Sequence, residues 1–182
     1  MSPRILVVCT ANVCRSPMAA TLLTAACGEH GIAVRIDSAG LNAVRLGADP
    51  IAVGLMADRG LDMSNHTPRQ IVLADVVEAD LVVAMTREHV RSLVTDHRSP
   101  LARTFTLKEL ARRIRERPGV PIAGLGGDRA PADLLGRSAL DDIDDPFGRQ
   151  IRHYEVCVTD LERSVDALVS GMRSGLLPGS ES

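Results

Sequence analysis

The chain has 182 residues and a mass of 19.4 kDa, the size of one ordinary domain. Its 45% apolar content supports a substantial core and excludes an intrinsically disordered chain. The 21 basic and 23 acidic residues leave a net charge of −2, without the basic excess of a general nucleic-acid or anionic-membrane binder. Phe105, Phe147 and Tyr154 are the three aromatic residues, too few for a base-stacking platform. Lys108 is the single lysine among the basic residues, which reads as composition bias. Cys9, Cys14, Cys27 and Cys157 show no zinc spacing, and neither metal nor cofactor is expected. The apolar run Ile5-Leu6-Val7-Val8 is too short for a signal core or a membrane span. A reducing, cytoplasmic setting without structural disulfides is the expectation.

Residues 4–8 are a β-branched run that predicts a buried first strand. The segment 9–15 follows, and Ser16-Pro17 opens a helix to about His30, with Ser16 as N-cap and Gly28 and Gly31 as the stop. Residues 33–37 predict a second strand ending in Ser38-Ala39-Gly40. Asp49-Pro50 starts a helix ending near Gly60, and Thr67-Pro68 starts another short one. Residues 80–84 form a third strand, after which Thr86 caps a helix to about Asp96. A weak fourth strand over 104–106 precedes an Arg-rich helix to Arg117. The stretch 118–144 is long and rich in Gly and Pro, the kind of loop that is functional or mobile. Apolar spacing at Val156, Leu161, Val165, Leu168 and Val169 predicts a long amphipathic helix over 151–172. One domain over 1–172 with a flexible tail over 173–182 follows. Strands alternating with helices imply an α/β fold with a parallel sheet, whose ligands bind at the carboxyl ends of the strands. Residues 9–15 lie at such an end.

That segment carries the chemistry. Cys9, five intervening residues, then Arg15-Ser16 sit between a strand and a helix. A turn of this length curls its amides inward and, with the helix N-terminus, cradles an anion. Arg15 adds a planar grip on two phosphate oxygens. The same positive field favours a thiolate on Cys9, and a thiolate facing a bound phosphate is a phosphoryl nucleophile. Arg is unfavourable in the first turn of a helix, which suggests that Arg15 is held there for an anion. A phosphocysteine route also needs a general acid. Asp141, Asp142, Asp144 and Asp145 are the candidates, and Phe147, directly after Asp145-Pro146, either flanks an aromatic ester or plugs the core.

In these motifs the sequence resembles the low-molecular-weight protein tyrosine phosphatase family over most of its length. The resemblance is carried by Val8-Cys9-Thr10-Ala11-Asn12-Val13-Cys14-Arg15-Ser16-Pro17-Met18-Ala19, Ser38-Ala39-Gly40, Gly47-Ala48-Asp49-Pro50, Met63-Ser64-Asn65-His66, Arg69-Gln70, Met85-Thr86-Arg87-Glu88-His89 and Asp145-Pro146-Phe147. It implies a four-stranded parallel sheet of order 2-1-3-4 flanked by helices, with a phosphate-binding loop after the first strand. It further implies Cys9 as nucleophile, Arg15 as phosphate and transition-state ligand, Asp145 as acid then base, and Ser16 holding the thiolate. Asn12, Ser38 and His66 match the polar network that braces the loop. Cys14, five residues after Cys9, matches a partner that closes a protective disulfide on oxidation, so redox regulation is implied. Where the family carries an aromatic wall, this chain has Val44, and Phe147 is followed by Gly148. The implied partner is a phosphorylated protein, phosphotyrosine first, with no nucleic acid and no membrane insertion. The residues leave the oligomeric state open.

Other readings share the loop. An arsenate reductase needs relay cysteines after the third strand, and residues 87–104 contain none. A protein-arginine phosphatase carries Thr before the second loop cysteine, where this chain has Val13. A non-catalytic phosphate-binding module would lack the nucleophile or the acid.

Overall fold

The computed structural model describes residues 2–44 and 46–173. Four strands, β1 (Arg4–Cys9), β2 (Arg35–Gly40), β3 (Leu81–Ala84) and β4 (Thr104–Thr106), form one parallel sheet of order β2-β1-β3-β4. Among the described residues six α-helices accompany them: α1 (Arg15–Glu29), α2 (Pro50–Ala57), α3 (Leu73–Glu78), α4 (Arg87–Thr95), α5 (Leu107–Glu116) and α6 (Ile151–Arg173). Strand β1 alternates its side chains between two cores, as a pleated strand does. Ile5 and Val7 pack with Met18, Leu23, Phe105, Leu110, Tyr154 and Leu161. Leu6 and Val8 pack with Val76, Val82, Val90 and Leu93. Helices on both faces explain why β1 and β3 read as continuous apolar runs. The register sets Cys9 beside Gly40, so the loop after β1 leaves the sheet next to the end of β2.

Several local expectations change. Helix α1 begins at Arg15 with Cys14 at its cap, and no side chain caps it. Ser16 lies inside the first turn because its hydroxyl bonds Cys9 and Asn12. Gly28 is helical, and the chain turns at Gly31, whose φ is 65°. No helix starts at Thr67-Pro68. There the chain bridges the edge of β2, with the Gly40 amide donating to Arg69 O and that of Ile71 to Gly40 O, both at 2.9 Å. Helix α3 starts later, at Leu73, where the Asp75 carboxylate accepts from the Val72 amide. Asp49 and Thr86 cap α2 and α4 as expected. Of the 173–182 tail, Arg173 ends α6 and the rest lies outside the described residues.

The 118–144 stretch is fastened to the body of the fold. It contains two short 3-10 turns, Ile122–Gly124 and Pro131–Leu134. Buried Arg129 lies 4.4 Å from the Phe105 ring centroid, donates to Leu101 O and Thr104 O at 2.6 Å each, and pairs with Glu109. Leu125 and Leu134 are buried beside it in sequence. The Ile143 amide then donates to Met85 O at 2.8 Å, bringing the chain to the carboxyl end of β3.

Candidate active site

The loop over 9–15 closes on its own side chains. Cys9 is 3% exposed, and its Sγ lies 2.9 Å from Ser16 Oγ and 3.3 Å from the Asn12 amide. Asn12 is fully buried with φ 58°, a left-handed conformation that Asn tolerates better than most residues. Its Oδ1 accepts from the Arg69 amide at 3.0 Å, which fixes the amide orientation. Its Nδ2 therefore donates to Ser16 Oγ at 2.9 Å and to Ser38 Oγ at 3.0 Å. Ser16 Oγ, already an acceptor, is left with its own proton to give to Cys9 Sγ. His66 Nε2 lies 2.7 Å from Asn12 O, an acceptor, so His66 carries a proton on Nε2. Asn12, Ser38 and His66, named as bracing residues from the resemblance, thus meet in one network.

Arg15 stands in the first helical position yet is only 4% exposed. Its guanidinium donates to Ile143 O at 3.1 Å and pairs with the Asp145 carboxylate across the loop, with a longer contact to Thr10 Oγ1. The four candidate aspartates separate cleanly. Asp141 is buried and bonds Arg87 and Arg112. Asp142 accepts from the Arg87 and Ser138 amides. Asp144 pairs with Arg137 in solvent. Asp145 alone of the four meets Arg15, and its carboxylate stays 47% exposed. Phe147 follows it at 52% exposure, and Val44 is exposed beyond the end of β2. The 410 Å³ groove beside the acid loop is lined by Asp145, Lys108, Arg149, His153 and Cys157, among others.

Two residues were missed by sequence reading. His89, in the first turn of α4, is buried with Nε2 3.0 Å from Thr10 Oγ1 and Nδ1 without a partner among the described residues. Burial and the Arg15 charge push it down to about 3, so it is neutral at working pH. The other is Tyr154, whose hydroxyl reaches Asp49. The motif around His89 was visible in sequence, but its contact with Thr10 arises only because β1 and β3 are neighbours in the sheet. All four cysteines are free thiols; burial above all pushes Cys14 well up, and Cys157 up to about 12.

Sheet order, loop and opposing carboxylate together define a cysteine-dependent phosphatase. The family model described as low molecular weight phosphotyrosine protein phosphatase matches residues 4–121, and the chain belongs to that family. A probable low molecular weight protein-tyrosine-phosphatase, EpsP of Ralstonia solanacearum, is 33% identical over 175 residues, covering 96% of this chain and 99% of the relative. The protein-arginine-phosphatase of Bacillus subtilis strain 168 is 29% identical, over 93% of this chain and 96% of its own length. Among solved structures, the low molecular weight protein tyrosine phosphatase of T. tengcongensis is similar at 30% identity and a TM-score of 0.73, covering 93% and 99% of the two chains. The YwlE arginine phosphatase of Geobacillus stearothermophilus is similar at 29% identity and a TM-score of 0.74, covering 99% of each. The described residues contain no helix long and apolar enough to cross a membrane.

Proposed function

We propose that the chain hydrolyses phosphomonoesters on proteins, phosphotyrosine above all, through a phosphocysteine formed on Cys9. The observation that carries this reading is the convergence of Cys9 Sγ, held by Ser16 Oγ and the Asn12 amide, with the Arg15–Asp145 pair at the end of β1.

An arriving phosphate dianion competes with Asp145 for the Arg15 guanidinium, which can then grip two equatorial oxygens. Helix α1 starts at Arg15, so its leading amides have no intrahelical acceptors and are available to the anion. The Cys9 thiolate attacks phosphorus while Asp145, protonated, gives its proton to the departing tyrosyl oxygen. Asp145, now a carboxylate, takes a proton from the water that attacks the phosphocysteine. Cys9 leaves as thiolate, stabilised by the Ser16 hydroxyl. The loop amides of Thr10, Ala11, Val13 and Cys14 complete the phosphate cradle.

Val13 supports tyrosine over arginine, because its buried methyls offer no hydroxyl to a guanidinium. Phe147 and Val44 supply the slot walls. The similarity to protein-arginine-phosphatases supports phosphoarginine as the second reading. No cysteine follows β3 before Cys157 in α6, which disfavours arsenate reduction. The presence of both Cys9 and Asp145 disfavours a module that only binds phosphate. Four free thiols suit a reducing, cytoplasmic setting. Under peroxide, Cys9 becomes the sulfenic acid and Cys14 resolves it as a reversible disulfide. Side-by-side turnover of phosphotyrosine and phosphoarginine decides the substrate, and faster phosphoarginine hydrolysis would establish the second reading. Cys9→Ser should abolish turnover and keep phosphate affinity; turnover near wild type would remove Cys9 from the nucleophile role.

A further inference from the structure

Tyr154 is the only tyrosine in the chain and is 1% exposed, on α6. Its hydroxyl lies 3.3 Å from the Gly148 amide and 3.1 Å from Asp49 Oδ2. An amide can only donate, so the tyrosyl oxygen accepts from Gly148 and gives its own proton to the carboxylate. Gly148 stands three residues after Asp145, in the turn where the Phe147 amide donates to Asp145 Oδ1 at 3.1 Å and that of Arg149 to Pro146 O at 2.9 Å. Asp49 faces the other way. Its Oδ1 accepts from the Ile51 and Ala52 amides at 3.0 Å each, and its own amide donates to Val13 O at 2.9 Å, inside the phosphate loop. One phenol thus joins the turn that carries Asp145 to the residue that anchors the Cys9 loop.

We propose that Tyr154, acting through Asp49, is a positioning residue that sets the Asp145 turn against the Cys9 loop. The proposal rests on the reading of Asp145 as general acid. Packing alone needs only the ring, and a phenylalanine would fill the same space. The hydroxyl adds a directional link between two loops whose reacting groups, Arg15 and Asp145, lie 130 positions apart in sequence and need close mutual placement. Burial pushes this hydroxyl up to about 12, so it remains a donor at working pH.

Tyr154→Phe removes the link and keeps the ring. The assay is kcat/KM over a series of aryl phosphates, with inorganic phosphate inhibition alongside. We expect about a tenfold loss on phenyl phosphate, equivalent to about 1.4 kcal/mol of transition-state stabilisation. The loss should shrink to about twofold on para-nitrophenyl phosphate, whose leaving oxygen carries charge well, and phosphate inhibition should stay within about twofold of wild type. In the Asp145→Asn background Tyr154→Phe should cost nothing further. Asp49→Asn, which keeps an oxygen for the α2 cap, should reproduce the leaving-group pattern. A uniform loss across leaving groups, a loss that multiplies in the double variant, or wild-type behaviour of Tyr154→Phe overturns the proposal. If Asp145→Asn itself shows no leaving-group dependence, the acid assignment fails and the proposal with it. If Asp145→Asn shows it and Tyr154→Phe does not, the positioning role alone fails.

Discussion

Gly40 is where a single methyl group should separate activity from folding. It ends β2 against the first residues of the phosphate loop. A Cβ there would stand 2.7 Å from Thr10 O, 3.0 Å from the Ala11 carbonyl carbon and 3.1 Å from Asn12 Cβ. The first of these is a backbone clash that no side-chain rotation relieves. Both partners are stitched together at this point: the Leu41 amide donates to Cys9 O at 2.9 Å and that of Asn42 to Thr10 O at 2.7 Å. On the other side, Gly40 itself bonds Arg69 and Ile71. Relief therefore requires the loop to move by about half an ångström, and misplacements of about 1 Å cost on the order of a hundredfold in rate. Gly40→Ala should lower kcat/KM on para-nitrophenyl phosphate by about 10- to 100-fold. Overpacking should cost about 1–3 kcal/mol of stability. Gly40 has no positive φ, so about 0.5–1 kcal/mol of that is offset by the stiffer unfolded chain. Gly28→Ala and Gly54→Ala serve as controls. Both lie in helices with nothing within 4 Å of the added Cβ, and each should gain about 0.5–1 kcal/mol with unchanged turnover. Urea unfolding and steady-state kinetics measure both quantities. A Gly40→Ala protein with wild-type kcat/KM and phosphate inhibition would refute the steric reasoning.

Two further outcomes are expected. His89 is held at about 3 in the fold against an ordinary value near 6.5, so the unfolded chain binds a proton that the folded chain refuses. Stability should then fall as pH drops below about 6.5, by about 2 kcal/mol at pH 5 from this group alone, and His89→Gln should flatten that limb in urea titrations. An equal slope in the variant would assign the acid sensitivity elsewhere. Burial keeps the Cys14 thiol protonated, so after peroxide treatment the fraction of activity recovered by a reductant should rise between pH 7 and pH 9 and vanish in Cys14→Ser. Recovery independent of both pH and Cys14 would count against its resolving role.

What the sequence determined by itself is local. The β-branched run of β1, the Cys9-to-Arg15 spacing and the caps at Asp49 and Thr86 all act between residues a few positions apart, and they place the phosphate loop between a strand and a helix. The same local rules misassign Ser16, because a serine before Pro reads as an N-cap until a sulfur and an amide compete for its hydroxyl. They start a helix at Thr67-Pro68, because the bridge from Gln70 to Gly40 belongs to another strand. Four aspartates within five positions carry one indistinguishable turn signal. Only packing sorts them, sending Asp141 and Asp142 to Arg87, Asp144 to solvent and Asp145 to an arginine 130 positions away. His89 and Tyr154 join the site for the same reason. Their hydroxyl and carboxylate partners lie 79 and 105 positions distant, and they meet because the strand order and the long return of α6 bring those segments together.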